Sequence, residues 1–191
     1  MKSQFTRRAA FQVGVVGACS AAIAACTSSK TTTSTFPELY QTGDESELRA
    51  AARAIADLDF HCTMITVDDT GMPRARTMSV NMPEGESSFW MSTRPGSRKL
   101  DQLSGNPKTC LHFADTEQWG YATFMGTTKF HADEATVLER SFFPDDLRDQ
   151  LFPEFPQDMV MVEFKLEWLE VAGRGVRVHP KTWQPQGIRV L

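Results

Sequence analysis

Phe89-Trp90-Met91-Ser92-Thr93-Arg94-Pro95-Gly96-Ser97-Arg98-Lys99 is the stretch on which the reading of this chain turns. With Ser88 in front, its first five residues are aromatic, apolar, β-branched or small, as in a strand. Arg94-Pro95-Gly96 breaks the strand, and Ser97 opens a short helix in which Leu100 and Leu103 share a face. Gly105-Asn106-Pro107 ends that helix. A helix N-terminus offers free N–H groups and partial positive charge. Arg98 adds fork-shaped donors, Lys99 a point charge, and Ser97 or Thr93 a hydroxyl. Such a set suits a monoester phosphate. A plainer reading stays open, in which Ser97 is a cap and Arg98 and Lys99 are a solvated first turn. Against it, two cations in a first turn oppose the helix dipole. Arg76 stands one strand earlier, on the same face as Met78 and Val80. A cation on an apolar face needs a partner, and Arg76 could close the site.

Outward from this stretch the chain alternates short strands with turns. A helix is expected over 44–58, with Asp44 as cap and Leu48, Ala51, Ala52 and Ile55 at helical spacing. Strands are expected over 60–67, 75–81, 88–93, 109–114 and 121–130, with turns at Asp68-Asp69-Thr70-Gly71 and Pro83-Glu84-Gly85. The segment 134–151 reads as helical, interrupted near Pro144. From Met159 to Ala172 the pattern alternates, putting Val160, Val162, Phe164, Leu166 and Trp168 on one face. The expected fold is mainly β with α additions: an antiparallel β-barrel with short helices. Beyond Gly173 the tail is expected to be irregular.

The segment Thr93–Lys99, its preceding strand, the later Asn106-Pro107 and the glycine in Ala122-Thr123-Phe124-Met125-Gly126 closely resemble the pyridoxamine 5′-phosphate oxidase-like family, including its general stress protein branch. The resemblance spans roughly residues 45–175. It implies a split β-barrel that binds FMN, usually at a homodimer interface. By resemblance, Arg76 would contact the phosphate or ribityl chain. Thr77, Met78 and Ser79 would line the isoalloxazine with backbone groups, and Ser92 and Thr93 would sit beside it. Ser97, Arg98 and Lys99 would hold the phosphate. Trp183 is similar to tail aromatics that cover the flavin in some members, and packing at the barrel end is an equal reading. Where vitamin B6-oxidising members carry a substrate-contacting lysine, this chain has Asn81. It also lacks their substrate-binding Tyr and Arg set in 134–156 and their Arg-Leu-x-Pro ending. The implied activity is an FMN-dependent oxidoreductase with a small-molecule redox substrate, not a true pyridoxamine phosphate oxidase. The alternative is a non-catalytic flavin- or haem-binding protein.

The N-terminus carries a separate message. Lys2, Arg7 and Arg8 precede an apolar run from Phe11 to Ala25 that is too short to span a bilayer. This is the pattern of an export signal. Thr6-Arg7-Arg8-Ala9-Ala10-Phe11 resembles a twin-arginine signal, and Ile23-Ala24-Ala25-Cys26 a bacterial lipobox. Cleavage would then leave Cys26 lipidated at the head of a tether over 26–43, polar from Thr27 to Thr35, followed by the barrel over 44–175 and a tail over 176–191, the domain being anchored in the bacterial cell envelope. Residues 27–191 hold 17 basic and 24 acidic residues, a net charge of −7, which argues against nucleic-acid binding. Cys62 and Cys110 either pair, as an exported location permits, or stay as buried thiols. His61, His112, His131 and His179 show no metal-ligand spacing.

Overall fold

The computed structural model describes residues 40–190. The expected export signal, the lipobox with Cys26 and most of the tether lie outside the described residues.

The elements follow in the order α1 (Glu45–Ala56), β1 (His61–Val67), β2 (Pro73–Ser79), β3 (Ser88–Thr93), α2 (Arg98–Gly105), β4 (Lys108–Asp115), β5 (Gly120–His131), α3 (Glu134–Arg140), α4 (Asp145–Leu151), β6 (Val160–Ala172) and β7 (Gln186–Arg189). The expected strands and helices all form, with ends shifted by a residue or two. Asp44 caps α1 as expected, its carboxylate accepting from Ser46 N at 2.8 Å.

All strand pairs are antiparallel, in the order β2-β1-β4-β5-β6-β3, with β7 added to β6. The two ends of this path meet just beyond β2. Asn81 N donates to Trp90 O and Trp90 N to Asn81 O, both at 2.8 Å. That pair closes the sheet into a barrel at one point. Elsewhere β2 and β3 diverge, so each presents an unpaired backbone edge to the gap between them, which is the split. Met64, Met91, Leu111, Phe124 and Phe164 fill the interior, and Leu48, Ala52 and Ile55 of α1 pack into the same core. A second cluster of Trp90, Val137, Phe152, Met159 and Met161 fastens the α3–α4 region to the outside.

Three expectations need correction. The tail is not wholly irregular: Gln186–Arg189 form β7, with Gln186 opposite Val171 and Arg189 opposite Trp168. The folded unit also begins before Asp44. The Gln186 carboxamide oxygen accepts from Thr42 N and Gly43 N at 2.9 Å each, and Gly187 N donates to Tyr40 O at 2.9 Å. Finally, Trp168 does not share a face with Leu166. Gly126 pairs with Leu166 but Met125 with Trp168, so Glu167 is an extra residue, a bulge. A bulge shifts side-chain alternation by one. Past it Leu169 and Val171 point inward, at 1% and 0% exposure, and Trp168 outward.

Gly126 is what makes the bulge fit. A Cβ built there would overlap the Lys165 carbonyl oxygen. Only hydrogen can occupy that side of the strand.

Candidate functional site

The gap between β2 and β3 holds two adjoining cavities. The first, of about 560 Å³, is lined by Pro73, Arg74, Ala75 and Arg76 from β2 and by Ser97, Arg98, Lys99 and Gln102 from α2 and its cap. The second, of about 310 Å³, is lined by Thr77, Met78 and Ser79, by Ser92, Thr93 and Arg94, and by Phe143, Gln150, Leu151 and Phe152 from the α4 region. All nine residues expected to bind cofactor therefore meet in one cleft. Arg76, Ser97, Arg98 and Lys99 form its cationic end, and Thr77, Met78, Ser79, Ser92 and Thr93 its neutral end, at whose border Arg94 turns to the Leu151 carbonyl. Trp183 lines neither cavity and is 79% exposed.

The local reasons are plain. Gly96 adopts φ +70°, a left-handed conformation that glycine takes without strain, and turns the chain from β3 into α2. Ser97 occupies the N-cap with extended backbone, yet its hydroxyl makes no cap hydrogen bond. It accepts instead from Thr93 Oγ1 at 3.1 Å. Lys99 Nζ donates to Thr93 Oγ1 at 2.7 Å. Leu100 N donates to Ser97 O at 2.8 Å, which leaves the Arg98 and Lys99 N–H groups of the first turn for another acceptor. The plainer reading holds for Ser97 by position and for Arg98, which is exposed, but not for Lys99, which folds back into the cleft.

Across the gap, Arg76 is fixed from behind. Its Nη1 donates to Thr66 Oγ1 at 2.6 Å and its Nη2 to Gln102 Oε1 at 2.7 Å. The Thr66 hydroxyl, fully buried, also donates to Gln102 Oε1, at 2.6 Å. Every partner is neutral. Among the described residues no carboxylate pairs with Arg76, Arg98 or Lys99. Burial first, and Arg98 second, lower the Arg76 guanidinium from its ordinary value. Burial and then Arg76 do the same to the Lys99 ammonium. Arg76 and Lys99, partly withdrawn from water beside the exposed Arg98, carry a penalty that an anion between them would relieve.

The neutral end is roofed by Phe143 and Phe152. Arg94 Nε donates to Leu151 O at 3.1 Å, which ties the end of α4 to the loop after β3. Sequence reasoning missed Thr66, Gln102, Arg94 and the α4 residues. Gln102 had a visible signal, since it lies one helical turn after Arg98 on the same helix. Phe143 and Phe152 had none, because only the fold brings them to the cleft.

The fold and site together define a split β-barrel protein with a cationic cleft at the split. The chain belongs to the pyridoxamine 5′-phosphate oxidase family, whose pattern matches residues 48–175. Solved structures of the same fold include a protein related to general stress protein 26 from Clostridium acetobutylicum. It is 20% identical over 77% of this chain and 96% of its own, with a TM-score of 0.62. A pyridoxamine 5′-phosphate oxidase-related, FMN-binding protein from Nostoc punctiforme is 12% identical over 80% of this chain and 100% of its own, TM-score 0.56. A haem-binding protein from Mycobacterium smegmatis is 13% identical over 78% of this chain and 60% of its own, TM-score 0.57. No curated protein matches the chain in sequence.

Proposed function

We propose that this chain is an FMN-binding oxidoreductase that works outside the cytoplasm on a lipid anchor. The observation that carries the reading is the cluster of Arg76, Arg98 and Lys99 without a carboxylate, at the mouth of a cleft walled by two unpaired strand edges. That donor set fits a phosphate monoester joined to a flat, hydrogen-bonding ring. Ser97, Arg98, Lys99 and the first-turn N–H groups of α2 would hold the phosphate, with Arg76 opposite. Backbone groups of Thr77, Met78, Ser79, Ser92 and Thr93 would meet the ring, and Phe143 and Phe152 would exclude water from it.

Bound there, FMN supplies the redox chemistry for a small-molecule substrate. The chain's own part is to bind, orient and desolvate. Among the described residues no carboxylate, histidine or thiol lines either cavity, and the one amine there, Lys99, stands at the phosphate end. The same fact favours FMN over haem, since of the residues lining the cleft only Met78 has a side chain commonly used as an axial ligand. Asn81 supports a substrate other than pyridoxamine phosphate. Its backbone closes the barrel and its side chain carries no charge.

A homodimer is part of the same proposal. Thr77, Thr63, His112, Thr123 and Glu170 form one outward row across five strands, flanked by Cys110, Tyr121, Met125 and Trp168. The row is continuous with the cleft at Thr77. A second copy laid on it would cover the neutral end of the site. Light scattering on the purified domain should give twice the chain mass.

The decisive experiment is the absorption spectrum and flavin content of folded protein covering residues 27–191. One flavin per chain, reducible by NAD(P)H or another donor, is expected. A folded protein that neither carries nor takes up FMN sinks the proposal, and a Soret band would reassign it to haem. Flavin that no donor reduces would leave a binding protein without turnover. Replacing Arg7 and Arg8 with lysine should block export of the flavin-loaded form. Unchanged export would point to the general secretory route.

A further inference from the structure

The last segment of the chain is charged against the rest. Gly173 to Leu191 contains Arg174, Arg177, Lys181 and Arg189 and no Asp or Glu, whereas residues 27–191 as a whole carry −7. The fold holds this segment at one end of the barrel. Gly173 N donates to Val176 O at 2.9 Å, and Gln186 Nε2 to Arg177 O at 3.0 Å. Arg174 is committed to Asp115 at 2.7 Å. Arg177 and Lys181 are exposed and form no ion pair among the described residues.

Two exposed indoles belong to this segment and to the hairpin next to it. Trp183 is 79% exposed and Trp119, at the tip of the β4–β5 hairpin, is 94% exposed. The hairpin and the segment are neighbours, since Gly120 packs directly on Gly173. Both tryptophans have left-handed backbone, φ 60° and 54°. That conformation is strained in a bulky residue. Neither ring is buried. Glu117 is the acid on the hairpin tip.

Large exposed indoles beside Arg and Lys are the side-chain chemistry of a headgroup layer. The ring sits at the level of the headgroups, and the cations meet anionic lipid. The start of the described chain is at the same end. The Tyr40 ring packs on His179 at 4.9 Å, and Trp183 N donates to His179 O at 2.9 Å. Thirteen residues separate Tyr40 from Cys26.

We propose that Trp119, Arg177, Lys181 and Trp183 form a membrane-contact surface that docks this end of the barrel on anionic lipid headgroups. The proposal rests on the lipid-anchored reading above, since the anchor would hold this end near the bilayer.

The test uses residues 27–191 without lipid, sedimented with vesicles of phosphatidylcholine with or without phosphatidylglycerol. Salt-sensitive binding to the phosphatidylglycerol vesicles is expected, with a blue shift of tryptophan emission. R177E/K181E should weaken binding by at least about tenfold, from the loss of roughly 1 kcal/mol per cation. W119S/W183S should abolish the blue shift. Equal binding to both vesicle types, or variants that bind like the parent, would overturn the proposal. So would a W183S variant that splits a dimer in a protein that ignores vesicles, because the surface would then belong to a second copy. The anchor is scored separately, by the mass of the Cys26 peptide from full-length protein expressed in bacteria. An unlipidated Cys26 together with intact vesicle binding overturns the anchor and leaves the surface standing.

Discussion

Arg76 Nη2 donates to Gln102 Oε1 at 2.7 Å, a bond that joins β2 to α2 across the split of the barrel. Gln102 therefore aims the cation from the wall of the same cavity. Gln102→Leu should leave the barrel folded and weaken FMN binding by about tenfold, the worth of one hydrogen bond to a charged group. Gln102→Glu would pair with Arg76 and compete with phosphate, weakening binding as well. Titration of flavin fluorescence checks both. Unchanged affinity in both variants would show that Arg76 needs no support.

Arg98→Ala and Lys99→Ala should each weaken FMN binding by about 10- to 100-fold, from the loss of charge-assisted hydrogen bonds. Riboflavin has the ring but no phosphate, so its affinity should stay the same. Equal losses for riboflavin and FMN would mean that the two residues hold something other than phosphate.

Lys99 also sets a pH dependence. In the free protein its ammonium titrates below the ordinary 10.5, through burial and then Arg76. Between that lowered value and 10.5 the unfolded chain binds more protons than the folded one, so stability of the free protein rises with pH there. A bound phosphate favours the charged form and draws a proton back. FMN affinity should therefore fall as pH rises through the same alkaline window. Lys99→Met should flatten the fall, and isothermal titration in buffers of different ionisation enthalpy would read the proton uptake.

Gly126→Ala places a methyl on the Lys165 carbonyl oxygen inside the β5–β6 pairing. Backbone lies on both sides, so relief requires moving a strand. A loss of about 2–4 kcal/mol is expected, visible as a lower thermal midpoint. Wild-type stability in this variant would show that the bulge can be absorbed elsewhere.

Cys62 and Cys110 should remain thiols even in an oxidising compartment. Cys62 points into the barrel and Cys110 out of it, on opposite faces of the sheet. Burial pushes the Cys62 thiol up to about 12, with Cys110 adding to it, and burial with Glu170 pushes Cys110 to about 11. Both are then poor nucleophiles at neutral pH. Alkylation should be slow in the native protein and reach two thiols in denaturant without reductant. A single disulfide by mass would contradict the strand register.

The expected strands were legible because each alternates inward and outward residues over a short run, and period two survives in any antiparallel sheet. The exception is instructive. Trp168 keeps perfect alternation with Leu166 in the sequence, yet faces the other way, because a bulge opposite Gly126 inserts one residue. Alternation records local geometry only, whereas a bulge is a property of two strands.

The candidate site divides along the same line. Ser97, Arg98 and Lys99 could be read directly, since a cap and a first turn are local structures whose charges conflict with the helix dipole. Arg76 announced itself as a cation on an apolar face. The sequence by itself thus determined which strands and helices form and which cations seek an anion. Only the tertiary structure decided that β2 and β3 meet once, at Asn81 and Trp90, and part elsewhere to open the cleft. It also brought Thr66, Phe143 and Phe152 to that cleft and folded the tail into β7. Barrel closure depends on the sum of twist, register and bulges over all the strands, and no local stretch of residues carries that sum.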